Sequence, residues 1–477
     1  MANLEGRSFF LQTGIFAHLW PLRTFLVAGS HSRERLRLMD YRQAWHFLDG
    51  LQFFKIKLGL ESMSRFLDDL GQPQRCLRFV HVAGTNGKGS VAASLAAVLA
   101  RAGYRTGLYT SPHLSSVRER FRINDEYIFR EEFARHVTRI HEILAGRQIT
   151  YFELTTALAL LWFVDRQVDV AIMEVGLGGR LDATNVITPL VGVITNVSMD
   201  HEAYLGTTLE EVAREKAGIV KPGVPMVAGV DNDDSRRVVV KACRERGADL
   251  YLLGRDFQAE PEENGCWRYH PLAGGPPLTG IEYRLAGGHQ LANGALTLAT
   301  LELLARRGLP VSAAAIRAGL REVQWPGRLE YLELPPADGD PPMNGFRHRY
   351  LLDGAHNPAG VQSLVATLEA FPHRMLILVW ASMADKKVSP MLAAMAPLSH
   401  HLLLTRPETE RSAAPEQLLT LLSEEARMRA ECVGAVSAAL DRARELATAE
   451  DLICIAGSLY LVGAARKLLM GELVVDE

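Results

Sequence analysis

Cysteine is scarce and scattered in this chain. Cys76, Cys243, Cys266, Cys432 and Cys454 are the only five in 477 residues, and no two stand at CxxC spacing. An odd, dispersed set frames neither a zinc site nor a disulfide network. The five read as free thiols in a reducing cytoplasm. A charge imbalance is missing as well. Lys and Arg total 52 against 55 Asp and Glu, for a formal net charge of −3. That balance supplies no electrostatic pull toward nucleic acid or an anionic membrane, so neither is expected as a partner. No apolar run reaches the roughly 18 to 20 residues that span a bilayer. Leu19 to Ala28 is interrupted by Pro21 and Arg23, and it lacks the charged start and small-residue cleavage site of a signal peptide. Short repeats and low-complexity tracts are also absent. What is left is an ordinary globular composition, 48% apolar and 22% charged, expected in the cytoplasm as a monomer with small-molecule partners.

At roughly 100–200 residues per domain, the length calls for two or three domains. Residues 1–38 read as a poorly ordered extension, with Met39 a candidate start for the folded part. From there strand and helix alternate. Leu77 to Val82 reads as a strand, Val91 to Ala100 as a helix stopped by Arg101 and Gly103, and Thr106 to Thr110 as a short strand. Leu154 to Val164 suits a buried helix. Val168 to Val175 and Val191 to Val197 are strands, and Leu209 to Lys216 is a helix closed by Gly218. Continuous apolar strands alternating with helices imply a parallel sheet covered on both faces. Residues 254–288, rich in Gly, Pro and charge, read as hairpins or an excursion before a helix at Gln290 to Arg307. A second α/β unit follows, with strands at Tyr350 to Asp353, Met375 to Val379, His401 to Leu404 and Leu452 to Ala456. The expected fold is α/β. A P-loop-type, mainly parallel sheet domain covers 39–322, a linker 323–328, and a smaller Rossmann-like domain 329–477.

The stretch Gly84-Thr85-Asn86-Gly87-Lys88-Gly89-Ser90 lies between a strand and a helix. Glycines let backbone N–H groups turn toward phosphate oxygens. The helix adds partial positive charge at its N-terminus. Lys88 would put an ammonium near the outer phosphates, and Ser90 a hydroxyl near magnesium. The loop departs from GxxxxGK[ST], because Gly89 separates Lys88 from Ser90. The bland alternative is a glycine-rich turn with no ligand.

Ligands of open parallel sheets bind beyond the carboxyl ends of strands. Ser111, Glu174 and His201 all stand at or just past such ends, on the same edge as the loop. Oxygen ligands plus one imidazole can hold magnesium between nucleotide and substrate. Taken singly, Glu174 is equally a solvated strand end, and Asp200-His201 a capped turn. Lys216, near a helix C-terminus, read alone complements the helix dipole.

These residues resemble one family, folylpolyglutamate synthase and dihydrofolate synthase, within the Mur ligase superfamily. The stretches, in family order across 40–470, are Gly84 to Ser90, Thr110-Ser-Pro-His-Leu114 with Glu119-Arg120, Glu174 to Asn185, Asp200-His201, Glu215 to Gly218, Pro326 to Leu329, Asp353 to Pro358 and Gly457 to Tyr460. The resemblance implies a reaction. ATP phosphorylates a folate-type carboxylate, and the amine of L-glutamate attacks the acyl phosphate. The acceptors would be dihydropteroate and tetrahydrofolate, as in the bifunctional bacterial type.

It also implies roles. Thr85, Asn86, Gly87, Lys88, Gly89 and Ser90 would hold ATP, with Asn293, Arg328 and Asp353 as further nucleotide contacts. Ser90, Ser111, Glu174 and His201 resemble ligands of Mg2+. Lys88 and His356 would act on the reacting phosphate. Lys216 matches a lysine that is carbamylated in this family, which turns a cation into an anion. Ile56, Lys57 and Leu58, Thr150, Tyr151, Phe152 and Glu153, and Leu181, Asp182 and Ala183 match segments that hold dihydropteroate. An aromatic pair beside an acid suits a flat heterocycle with N–H donors, and ordinary helix-start packing is the alternative for Tyr151 and Phe152.

Three rivals stand beside this reading. One is a polyglutamylating enzyme alone. A second is a cell-wall Mur ligase, against which Thr110–Leu114 and Glu174–Asn185 weigh. The third is a non-catalytic nucleotide-binding protein on the same scaffold, which predicts missing phosphate or metal ligands.

Overall fold

The computed structural model describes residues 38–51, 59–272, 274–335, 347–384, 386–407 and 412–471. The extension expected at the N-terminus lies, but for Leu38, outside the described residues. So do Ile56, Lys57 and Leu58.

One sheet holds eight strands: β1 (Phe79–Ala83), β2 (Thr106–Tyr109), β3 (Phe121–Ile123), β4 (Glu126–Tyr127), β5 (Val170–Glu174), β6 (Val191–Ile194), β7 (Met226–Ala228) and β8 (Leu250–Leu252). Their order is β4-β3-β2-β5-β1-β6-β7-β8. From β2 to β8 every pairing is parallel, and β3 and β4 turn back antiparallel at one edge. Successive side chains of a strand point to opposite faces. Accordingly Phe79, Ala171 and Met173 pack on one side with the helix Tyr151–Asp165, while Val80, Val82 and Ile172 pack on the other with Lys88–Arg101 and His289–Arg306. Both faces are covered, so the strands are mainly apolar on both sides rather than alternating.

The helix Tyr151–Asp165 is buried from Glu153 to Phe163. Mainly apolar and with no single apolar stripe, it is held by packing on all sides. Residues 254–288 make a small antiparallel sheet of β9 (Gln258–Pro261), β10 (Trp267–His270) and β11 (Leu278–Ile281), in the order β11-β10-β9. The remaining sheet contains β12 (Glu330–Leu334), β13 (His348–Asp353), β14 (Leu376–Trp380), β15 (His401–Leu404), β16 (Ala430–Cys432) and β17 (Leu452–Ala456). Its order is β12-β13-β17-β14-β15-β16, and β12 alone runs antiparallel to its neighbour. No helix among the described residues is long and apolar enough to cross a membrane.

Candidate active site

β1 ends at Ala83, and the chain turns through Gly84 and Gly87 into the helix Lys88–Arg101. Gly87 has φ 81°, a left-handed conformation, and a Cβ there would also overlap the amide of Asn293. Glycine is therefore required twice over. The loop is tied to the segment leaving β6. Thr195 Oγ1 donates to the Asn86 carbonyl at 2.6 Å, Asn86 N–H donates to Asn196 Oδ1 at 2.9 Å, and Thr85 N–H donates to the Asn196 carbonyl at 3.1 Å. From below, Gln290 Nε2 donates to Ser90 Oγ at 3.3 Å and Asn293 Nδ2 to Gln290 Oε1 at 2.8 Å. Asn293 is thus a buried floor of the loop. Lys88 Nζ curls back onto the carbonyls of Gly84 and Thr85 at 3.1 and 3.0 Å. Burial lowers its proton affinity, and Glu174 and Asp200 oppose that.

The cleft beyond these strand ends is lined by the whole loop from Gly84 to Ser90 and by Ser111, Glu174, His201, Lys216, Arg328, Asp353 and His356. Ser111 N–H donates to Glu174 Oε2 at 3.0 Å. Burial pushes the Glu174 carboxyl up, and Lys88 and that bond pull it back. Burial brings the His201 imidazole down to about 4, with Asp200 acting the other way, so the ring is neutral and keeps a lone pair. Lys216 is buried, and its Nζ donates to the Gly84 carbonyl at 2.9 Å. Burial and the nearby Lys88 bring it down to about 7.

The second large sheet supplies the facing wall. Asp353, at the end of β13, accepts from Leu329 N–H at 2.8 Å and Ala355 N–H at 2.9 Å. His356 Nε2 lies 3.7 Å from Asp200 Oδ2. Asn357 and Asn86 exchange amide hydrogen bonds of 3.0 and 3.3 Å, and Asn357 Nδ2 also donates to Asp200 Oδ2 at 3.1 Å. Lys386 Nζ donates to Asp200 Oδ1 at 2.7 Å. Burial alone would raise the Asp200 carboxyl, but His356, His201 and Lys386 hold it well below the usual range.

Sequence reasoning gave Asp200, Asn357 and Lys386 no role of their own. Lys386 follows the end of β14, so the strand-end rule could have found it. Trp325 stands in the stretch expected as linker. Its indole lies over Gly89, where a Cβ would come within 2.5–2.8 Å of the ring. Gly89, odd against the common motif, is what this contact requires.

The residues expected to hold the acceptor, so far as they are described, gather around the N-terminus of Tyr151–Asp165. Thr150 caps this helix and forms a capping box with Glu153, whose Oε2 accepts from Thr150 N–H and Oγ1 at 2.9 and 2.8 Å. Phe152 presses on Gly176, two residues past Glu174, where a Cβ would come within 2.5 Å of its ring. Arg120 stacks over Tyr151, with Cζ 5.2 Å from the ring centre. Asp182, between Leu181 and Ala183, accepts from Leu177 N–H at 2.9 Å and from Thr184 N–H and Oγ1 at 3.0 and 2.5 Å.

A phosphate loop on a parallel sheet, faced across a cleft by a second α/β sheet, is the architecture of a Mur-type ligase. Residues 82–301 match the Mur ligase middle domain, and residues 343–459 the Mur ligase, glutamate ligase domain. The chain belongs to the folylpolyglutamate synthase/dihydrofolate synthase family of that superfamily.

It is 36% identical over 445 residues to a probable bifunctional folylpolyglutamate synthase/dihydropteroate synthase of Haloferax volcanii, covering 90% of this chain and 50% of that protein. The chain thus spans about half the length of the archaeal relatives it matches. The Escherichia coli FolC structure in complex with DHPP and ADP is 30% identical, with TM-score 0.81 and coverage of 91% of this chain and 99% of that one. The Yersinia pestis bifunctional folylpolyglutamate synthase/dihydrofolate synthase, complexed with AMPPNP and Mn ion, is 31% identical with TM-score 0.79, covering 91% and 98%.

Proposed function

We propose that this chain is an ATP-dependent ligase that joins L-glutamate to dihydropteroate, giving dihydrofolate, and to tetrahydrofolate, giving folylpolyglutamates. The observation that carries this reading is the convergence of the Gly84–Ser90 loop, Glu174, His201 and Lys216 on one sheet edge, with Asp353 and His356 facing them. A carboxylate is a poor electrophile. Its oxygen attacks the γ-phosphorus of ATP, ADP leaves, and the resulting acyl phosphate is attacked by the glutamate amine with loss of phosphate. Such chemistry asks the protein mainly for positioning and charge stabilisation. Loop N–H groups and Lys88 hold the phosphates, Arg328 and Asp353 reach the nucleotide from the other wall, and His356 stands beside the reacting phosphate. Closing the two walls keeps water from the acyl phosphate.

Magnesium would be held by Ser90, Ser111, Glu174 and His201, and when bound it neutralises phosphate charge. The residues fit. Glu174 Oε1 has no hydrogen-bond partner among the described residues, and the His201 imidazole is neutral. Among the described residues no three His, Cys, Asp or Glu side chains form a cation site, so magnesium here would need oxygen donors from outside the protein side chains. Lys216 would carry a carbamate. Its amine, brought down to about 7, is available to CO2 near neutral pH.

The decisive assay supplies dihydropteroate and tetrahydrofolate separately with ATP and labelled glutamate. Labelled product from both, with matching ADP release, is expected. Product from tetrahydrofolate alone would reduce the chain to a polyglutamylating enzyme. ADP release independent of acceptor and glutamate would end the ligase reading.

A further inference from the structure

Arg120 is a cation almost fully withdrawn from water, with 8% of its surface exposed. It closes a short 3-10 turn, Val117–Arg120, whose capping box is formed by Ser116 and Glu119. The nearest acid in sequence is not its partner. Glu119 accepts the N–H groups of Leu114, Ser115 and Ser116 at 2.8, 3.0 and 3.0 Å. Arg120 instead donates Nε–H to His113 Nδ1 at 2.9 Å and lays its guanidinium plane over Tyr151. His113 accepts this bond at Nδ1 and offers the guanidinium no negative charge. The two terminal nitrogens of Arg120 have no hydrogen-bond or ion-pair partner among the described residues.

No carboxylate pairs directly with this guanidinium among the described residues, Glu174 acting on it only at longer range, so its terminal nitrogens remain open to an added anion. Arg120 is also oriented in advance, its rim pinned by His113 and its face by Tyr151. The free fork that remains matches a carboxylate, which it can grip through two parallel N–H bonds. Its position agrees with that partner. Tyr151 belongs to the acceptor-side cluster, and Ser111 and Pro112, just before His113, line the nucleotide cleft. A carboxylate gripped by Arg120 would be bracketed by Tyr151 and by His113, which follows the cleft-lining Ser111 and Pro112.

We infer that Arg120 binds the reacting carboxylate of the acceptor and is a binding residue of the reaction proposed above, on which this inference rests. Tyr151 then serves as the platform that keeps the guanidinium flat, in addition to any contact with the heterocycle. His113 is a positioning residue, acting through Arg120.

The test compares the wild type with Arg120→Met and Arg120→Lys. Binding of dihydropteroate, and of its analogue with the carboxylate replaced by a carboxamide, is followed by calorimetry, and KM is measured for acceptor, ATP and glutamate. The wild type should prefer the carboxylate by about tenfold or more, as expected for a bidentate charge-assisted contact. Arg120→Met should bind both analogues alike, with the acceptor KM raised by a similar factor and the KM values for ATP and glutamate unchanged. Arg120→Lys keeps the charge but loses the fork, and should fall between the two. It carries the test if the Met variant does not fold. Equal weakening of acid and amide, or an unchanged acceptor KM, overturns the inference while the proposed function stands. Failure of the wild type to use either acceptor overturns both.

Discussion

A lysine buried beside a second lysine cannot keep its ordinary hold on a proton. Lys216 is in that position, with Lys88 nearby and one hydrogen bond to Gly84. Its folded-state value of about 7 lies below the ordinary lysine value of 10.5. It is an ammonium below pH 7 and a free amine above, and only the amine can take up CO2. Turnover is expected to rise with pH through about 7 and to respond to added bicarbonate. In Lys216→Ala both dependences should vanish and kcat should fall by roughly 10²-fold, while ATP binding survives. Near-normal turnover in that variant would contradict the carbamate role. The residue also shows where sequence reading stops. The sequence places Lys216 in the last turn of its helix, where a lysine usually answers the dipole. Its burial against the phosphate loop is a tertiary fact, set by a chain segment 132 positions away.

The phosphate loop and its helix were legible because strand, glycines and helix are local signals. So were the apolar strands β1, β5, β6, β14 and β17, and the buried, mainly apolar helix Tyr151–Asp165, each within a few residues of its expected bounds. The three-residue strands β7, β8 and β16 were not, since so short a run has no measurable period. Nor did the spacing reveal the helices Tyr41–Gly50 and Glu61–Asp69. Gly89 shows how an element can be recognised without being understood. Its reason lies in Trp325, which approaches across the start of Lys88–Arg101. Gly89→Ala should push the indole away and raise the KM for ATP by about tenfold, an overpacking effect on a loop that must stay in register. Pairing it with Trp325→Leu, which makes room, should restore most of the loss. If the double variant is no better than Gly89→Ala alone, the contact is not the cause.

One of the contacts that join the two walls centres on Asp200. Asp200 belongs to the first sheet's edge, and Lys386, Asn357 and His356 to the second's. Both carboxylate oxygens of Asp200 are engaged across the cleft, by Lys386 at 2.7 Å and Asn357 at 3.1 Å. The Asp200 and Lys386 side chains are only 9% and 13% exposed, so solvent screens the pair little. Lys386→Ala should leave each wall folded and loosen their union. A looser cleft admits water to the acyl phosphate, so ADP formed per ligated product should rise above one. The two products are to be measured in the same reaction vessel. A slower enzyme with the ratio still at one would make Lys386 a local contact rather than part of the closure.

Asn293 lies beneath Gly87, and Gln290 beneath Ser90, yet both are made some 200 residues after the loop they support. Chains emerge from the ribosome N-terminus first. A growing chain therefore carries the glycines, Lys88 and Ser90 long before their support exists. Until the helix His289–Arg306 is complete and docked, those residues are a motif without a floor. Order of synthesis thus delays a competent nucleotide site until most of the first sheet's wrapping is in place, and a chain cut short before residue 289 keeps the signature of an ATP site without its foundation.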